Sequence, residues 1–365
     1  MGGTGTLGAF GEWGVLVRAV VLTGFGGLDK LEYREDVPDP EPGVGEVRVR
    51  VGAAGINNTD VWTREGAYGR DADPDRQSGW RAGGFVFPRI QGADVVGRID
   101  AVGEGVPAVR TGERVLVDPA LYVGAEVDLV TTAYLGSERD GGFAELVTVP
   151  AANAHRIESN LADAELATFP TAYATAIRML GRAGLRPGES LLVTGAGGGV
   201  GSALVQLGVL RGAEVVGVTS GAKREQLRAL GARDVDRDAG DLVEQLRVVG
   251  AEAPAVVADV VGGPLFPALL DLIAPLGRYV VAGAIAGPLV RADLRTVYLK
   301  QLQLIGSSMA THEDFAELVG LIESGSLRPL LAEHYPLRDL RRAQEEFASK
   351  AFFGKLVVTV DPTVQ

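Results

Sequence analysis

Residues 190–201 read SLLVTGAGGGVG, an apolar run that breaks into five glycines and then resumes as ALVQLGVL at 203–210. The order predicts a strand, a tight turn and a helix. Backbone without side chains can approach a pyrophosphate, and the helix that follows offers free N–H groups and the positive end of its dipole. The stretch therefore predicts a dinucleotide site. Strict G-x-G-x-x-G spacing is not met: one register gives Ala196, Gly198 and Gly201, the other Gly195, Gly197 and Val200. Taken alone, the run also fits a glycine-rich turn with no ligand. Its context favours the nucleotide, because a second apolar run, AEVVGVTS at 213–220, completes a βαβ unit of about 30 residues.

A chain of 365 residues can hold two domains and a large core. A net charge of −12 and a pI near 4.9 argue against nucleic-acid or anionic-membrane partners, which need a basic face. No apolar run approaches the roughly 20 residues of a membrane span, and the N-terminus lacks the blocks of a signal peptide, so a cytoplasmic location is expected. Cysteine is absent, which excludes disulfides, thiolate zinc sites and a cysteine nucleophile. His155, His312 and His334 form no ligand-spaced pair, and structural or surface roles are expected for them.

The glycine-rich lead, residues 1–16, is expected to be flexible, with folded structure beginning at VRAVVLTG. From Val17 to about Pro150, short apolar runs alternate with turn clusters: EVRVRVGAAG, DVVGRIDAVG, ERVLVDP and FAELVTVP. They predict a small rolled β domain. A polar excursion at 66–88 suits a lid or binding wall, or equally a disordered surface loop. Beyond Asn160, helical and strand patterns alternate, which implies a parallel, doubly wound sheet. The tail predicts two helices and a strand, GKLVVTV, returning to the first domain.

Several segments together resemble the medium-chain dehydrogenase/reductase superfamily, and its zinc-free quinone oxidoreductase-like branch in particular. They are GINNTDVWTREGAY at 55–68, GADVVGRIDAVGEGV at 92–106, DGGFAELVTVP at 140–150, FPTAYATA at 169–176, ADVVGG at 258–263 and GKLVV at 354–358, beside the glycine turn. The resemblance spans nearly everything from Val17 to Val360. It implies an α/β chain with a GroES-like β-rich catalytic domain, residues 17–155 and 312–365, around a Rossmann domain, residues 156–311. Zinc-dependent members place Cys, His and commonly a second Cys where this chain has Asn57, Ala93 and Thr171. None of the three is a good zinc ligand, and the structural-zinc stretch, here around 118–140, has no cysteine, so neither metal is expected.

Without a Lewis acid, conjugated acceptors such as quinones and enones suit the site better than simple carbonyls, because the hydride they receive leaves a delocalised anion. The branch's pattern G-I-N-x-x-D-x-x-x-R-x-G-x-Y supplies Asn57, Asp60, Arg64 and Tyr68. By resemblance, Asn57 faces the nicotinamide ribose and the substrate oxygen. Tyr68 donates a hydrogen bond or proton there, or is a half-buried turn aromatic. Asp60 and Arg64 are expected as a supporting polar network. Thr171 sits at the substrate pocket and Thr175 at the nicotinamide carboxamide, packed helix-start threonines being the alternative. Around the cofactor stand Gly197, Gly198, Gly199, Val200 and Gly201 of the turn, Gly283 and Ser307 at strand ends, and Lys355 from the tail. Phe353 walls the pocket or packs in the core.

NAD-preferring Rossmann domains carry an acid at the end of the second strand. Here that place reads VTSGAKRE, with Ser220 uncharged and Lys223 and Arg224 following, so NADPH is expected ahead of NADH. A solvated helix face is the alternative for the two cations. The leading expectation is an NADPH-dependent reductase of a small quinone or α,β-unsaturated carbonyl. A zinc-free alcohol dehydrogenase, which DGGFAELVTVP favours, and an NADPH-binding protein without turnover remain alternatives. A homodimer through an edge of the Rossmann sheet, near GRYVVAGA or LQLIGSS, is implied by the resemblance.

Overall fold

The structure is a computed structural model that describes residues 16–68, 85–122 and 132–360. The expected flexible lead up to residue 15 and most of the 66–88 excursion lie outside the described residues. So do 123–131 of the cysteine-free stretch and the last five positions.

The N-terminal part forms a rolled, mainly antiparallel β unit. Its larger sheet runs Ala154–Arg156, Arg114–Val117, Asp94–Val102, Glu46–Gly55, Lys355–Thr359, Leu331–Pro336, with Leu146–Pro150 also pairing with Glu46–Gly55. Alternation drives this. Val47, Val49 and Val51 are buried, while Arg48 and Arg50 on the other face pair with Asp100. Leu16–Leu22, Leu31–Pro38 and Arg89–Ile90 make a smaller sheet beside it.

The middle of the chain builds a six-stranded parallel sheet ordered Arg233–Asp236, Glu214–Thr219, Ser190–Val193, Val256–Asp259, Arg278–Val281, Gln303–Gly306. Numbered by appearance this is 3-2-1-4-5-6, the doubly wound order whose reversal beside the first strand opens a crevice. Leu191, Leu192 and Val193 are all buried, because helices cover both faces. Leu191 and Val193 pack with the Pro170–Arg182 and Gly199–Leu210 helices, and Leu192 packs on the opposite side with Leu246 and Leu269. Pro170 opens its helix at the first position, where its missing N–H costs nothing, after a short turn at Asp163–Leu166.

Packing moves one expected boundary. The His312–Glu323 helix buries Phe315, Leu318 and Ile322 in the core that holds the Pro170–Arg182 helix, so it belongs with the parallel sheet and not, as the 312–365 segment implied, with the first unit. The chain returns at Leu331–Pro336, and Lys355–Thr359 then pairs antiparallel with Glu46–Gly55. Among the described residues no helix is long and apolar enough to cross a membrane.

Candidate active site

A cleft of about 350 Å³ lies between the two units, at the reversal point of the parallel sheet. One wall is the glycine turn. Gly195 has φ +59°, a conformation that favours glycine, and a Cβ on Gly201 would stand 2.1 Å from the Gly195 carbonyl oxygen. The turn can therefore close only without side chains. Gly198 is extended and caps the Gly199–Leu210 helix, whose first turn leaves N–H groups free of intrahelical partners. Gly198, Gly199, Val200 and Gly201 line the cleft, and Gly283 and Ser307 face it from later strand ends.

The opposite wall begins at Asn57, which the Glu46–Gly55 strand delivers to the start of a short helix, Asn58–Glu65. The strand-rich reading of this region passes over that helix, which is only eight residues long and mostly polar. Its start is fixed by Asp60, whose carboxylate accepts from the Asn57 N–H at 2.7 Å and the Gly92 N–H at 3.2 Å, and Gly66 in the left-handed region ends it. Burial raises the Asp60 carboxyl to about 7, against the pull of those two N–H groups. Arg64 is also buried and donates to Gln344 Oε1 and the Gly26 carbonyl. Both residues lie behind the cleft and support the loop.

Asn57 also meets Lys355. The Lys355 ammonium donates to Asn57 Oδ1 at 2.6 Å, Asp94 Oδ2 at 2.8 Å and the Ile56 carbonyl at 2.9 Å. Asp94 Oδ1 accepts from the Thr171 N–H at 2.8 Å. Lys355 and Asp94 are 3% and 0% exposed, so this is an ion pair away from water. All three ammonium protons are engaged, which leaves none for a cofactor phosphate. Asn57 Nδ2 is buried and has no partner among the described residues.

Tyr68 lines the cleft, with its ring against Trp62 and its hydroxyl donated to Thr59 Oγ1 at 3.2 Å. Burial raises its phenol above the usual range. Thr171 lines the cleft too, and its hydroxyl lies 2.9 Å from that of Tyr134, a buried residue that also lines it. Tyr134 was invisible as a site residue, since nothing in AYLGS marks it apart from the turns around it. Thr175, on the next turn of the same helix, lines the cleft as well.

The expected phosphate end divides. Gly197 and Lys223 lie side by side at the end of the Glu214–Thr219 strand, with Ser220 starting the turn between strand and lysine. Lys223 donates to the Lys350 carbonyl at 2.7 Å and makes no ion pair among the described residues. Burial and the nearby Arg237 lower its ammonium. Arg224 is a correction: together with Arg228 it is bound to the buried Asp234 carboxylate on the adjacent strand, and it does not face the cleft. Phe353 packs against the core, and its neighbour Phe352 lines the cleft. Lys350, from the tail, reaches the cleft as well and donates to Asn58 Oδ1 at 3.0 Å.

A 3-2-1-4-5-6 parallel sheet with a side-chain-free turn at its reversal point, joined across a cleft to a rolled β unit, defines a two-domain protein of the Rossmann dinucleotide-binding class. Family models bear this out: the alcohol dehydrogenase GroES-like domain matches residues 43–159 and the zinc-binding dehydrogenase model residues 199–324. The chain belongs to the medium-chain dehydrogenase/reductase superfamily. It is 52% identical to a crystallised candidate alcohol dehydrogenase from Sinorhizobium meliloti, with a TM-score of 0.92 over 95% of this chain and 97% of that one. It is 31% identical to acryloyl-coenzyme A reductase from Metallosphaera sedula over 94% of this chain and all of that protein. A third relative is crotonyl-CoA carboxylase/reductase AntE, solved with NADP: 26% identity, TM-score 0.84, 95% of each chain.

The family's zinc does not fit the residues present. Its ligand places hold an amide, a methyl and a hydroxyl, at Asn57, Ala93 and Thr171, and the amide oxygen is already bound to a buried ammonium. A second cation beside Lys355 would meet its full charge at low dielectric. The glycine turn does fit a dinucleotide, since the space beside Gly198 would hold a Cβ and is left open, its nearest atom being the Gly195 carbonyl oxygen at 3.5 Å.

Proposed function

We propose that the protein is a zinc-independent, NADPH-dependent oxidoreductase that reduces a quinone or an α,β-unsaturated carbonyl. The observation that carries this reading is the Asn57–Lys355–Asp94 cluster, which stands where a metal's ligands are expected. Bound NADPH supplies the hydride. The chain's own residues must then hold the acceptor and steady the charge that develops on its oxygen. Reduction of a simple carbonyl without a Lewis acid forfeits several kcal/mol at that oxygen, and a single placed donor returns about 3 kcal/mol. A conjugated acceptor spreads the charge and needs less. Asn57 Nδ2 and the Thr171–Tyr134 hydroxyl pair are the donors at hand, and Tyr68 joins them once its hydroxyl leaves Thr59.

Two relatives support the conjugated class, since acryloyl-CoA and crotonyl-CoA reductases are named for α,β-unsaturated thioesters. NADPH is supported by Lys223, which lies beside the turn and makes no ion pair among the described residues, and by the relative solved with NADP. A cytoplasmic homodimer is part of the same reading. A second reading, a zinc-free alcohol dehydrogenase, draws on the 52% identical Sinorhizobium relative.

A steady-state screen separates them: NADPH oxidation with quinones and enones, run beside NADP⁺ reduction with alcohols. Turnover of the first panel is expected. Turnover with alcohols only would establish the second reading, and NADPH binding without turnover on either panel would leave a nucleotide-binding protein.

A further inference from the structure

We propose that Asp94 and Lys355 are a positioning pair that locks the Asn57 amide in one orientation, oxygen toward Lys355 and NH₂ toward the cleft, so that Asn57 is the hydrogen-bond donor to the substrate's carbonyl oxygen. The inference deepens the reductase reading and rests on it for the presence of a carbonyl.

An ammonium only donates, so the atom 2.6 Å from Lys355 Nζ must be the amide oxygen of Asn57. A flipped amide would set NH₂ against NH₃⁺. The lysine cannot swing away, because its other two protons are held by Asp94 Oδ2 and the Ile56 carbonyl. Asp94 in turn is fixed by the Thr171 N–H, in the first turn of the helix that carries the cleft residues Thr171, Ala172 and Thr175. Asn57 is also held from behind, where its own N–H is bound to Asp60. With its oxygen held by Lys355 and its backbone N–H by Asp60, Asn57 keeps Nδ2 as the unused donor of a residue that lines the cleft. A donor fixed before the reaction needs no reorganisation as charge builds on an oxygen. The positive charge behind Asn57 also polarises the amide, which strengthens its N–H as a donor.

The chain has four asparagines, 57, 58, 153 and 160, so selective ¹⁵N-asparagine labelling gives four side-chain NH₂ groups to follow. Asn57→Asp identifies the one of interest. In NADP⁺-loaded protein, which has no hydride to give, cyclohexanone is expected to shift the Asn57 NH₂ resonances downfield, and methylenecyclohexane, which lacks the oxygen, to leave them in place. Lys355→Met alone strands a buried carboxylate and endangers folding. The neutral double variant Asp94→Leu/Lys355→Met removes both charges and frees the amide to flip. Its cyclohexanone shift should be lost, and kcat on the enone or quinone that the wild type reduces should fall tenfold or more, with NADPH affinity within about threefold. Asn57→Ala should match it.

No cyclohexanone shift in the wild type, or a folded double variant that keeps both the shift and wild-type kcat, would overturn the proposal. A wild type that turns over no quinone or enone would instead sink the reductase reading, and the labelling experiment would still decide the orientation of Asn57.

Discussion

Lys223 and Arg224 are neighbours in sequence with opposite circumstances in the fold. Arg224 spends its charge on Asp234, whereas Lys223, beside the glycine turn, has the Lys350 carbonyl and the Phe352 ring for partners and no carboxylate among the described residues. If Lys223 meets the 2′-phosphate, Lys223→Ala weakens NADPH binding about tenfold, the loss of one charge-assisted contact, and leaves NADH within about twofold. Arg224→Ala leaves both affinities unchanged and lowers stability by at most about 1 kcal/mol. Trp62 lines the cleft and serves as the fluorescence reporter for both titrations. Tighter binding of NADH than NADPH by the wild type would refute the cofactor preference. Sequence placed both cations near the second strand's end correctly, but their partners belong to tertiary structure. Asp234 lies on the neighbouring parallel strand, and no local pattern shows which face of a turn it will meet. The Asp94–Lys355 pair is more remote still, since the two residues are 261 positions apart.

Among the elements, the His312–Glu323 helix ties the two units together. Its start is a reciprocal cap, with Thr311 accepting from the Asp314 N–H and Asp314 accepting from the Thr311 N–H. One face is buried against the Pro170–Arg182 helix, while His312 reaches the β unit, stacking on Tyr122 at 4.1 Å and bonding Asp118 at 2.8 Å. That bond raises the His312 pKa, burial opposing it. A histidine whose folded pKa is raised adds stability that is complete below its unfolded value, near 6.5, and is lost as pH climbs through the folded value. Unfolding midpoints measured from pH 5.5 to 9 should therefore fall more steeply for the wild type than for His312→Ala, and parallel curves would show the ion pair to be inert. The helix itself was legible from its i, i+3, i+7 spacing of Phe315, Leu318 and Ile322. Which unit it joins was not, because an apolar stripe reports that a helix is covered and not by what. The short Asn58–Glu65 helix escaped for another reason: it is held by Asp60 and by tertiary contacts more than by any stripe of its own.

Across the whole molecule, the Gln303–Gly306 strand has a neighbour on one side only among the described residues, and Leu304 on it is 47% exposed. Leu294, Tyr298 and Leu299, on the helix just before it, are exposed as well. An open edge beside an apolar patch is a surface that a second copy covers well. Light scattering is expected to give a dimer, and Leu299→Arg with Leu304→Arg a monomer. A monomeric wild type would refute the assembly.

The Lys355–Thr359 strand, which completes the β unit, follows every strand of the parallel sheet in chain order. During synthesis it is made after the whole parallel sheet, so a nascent chain can finish that sheet while the other unit still lacks an interior strand. Lys355 arrives on that same strand. Until that strand is made, Asn57 has no ammonium to face, and a product that stops before Lys355 would carry an intact glycine turn opposite an unfinished wall.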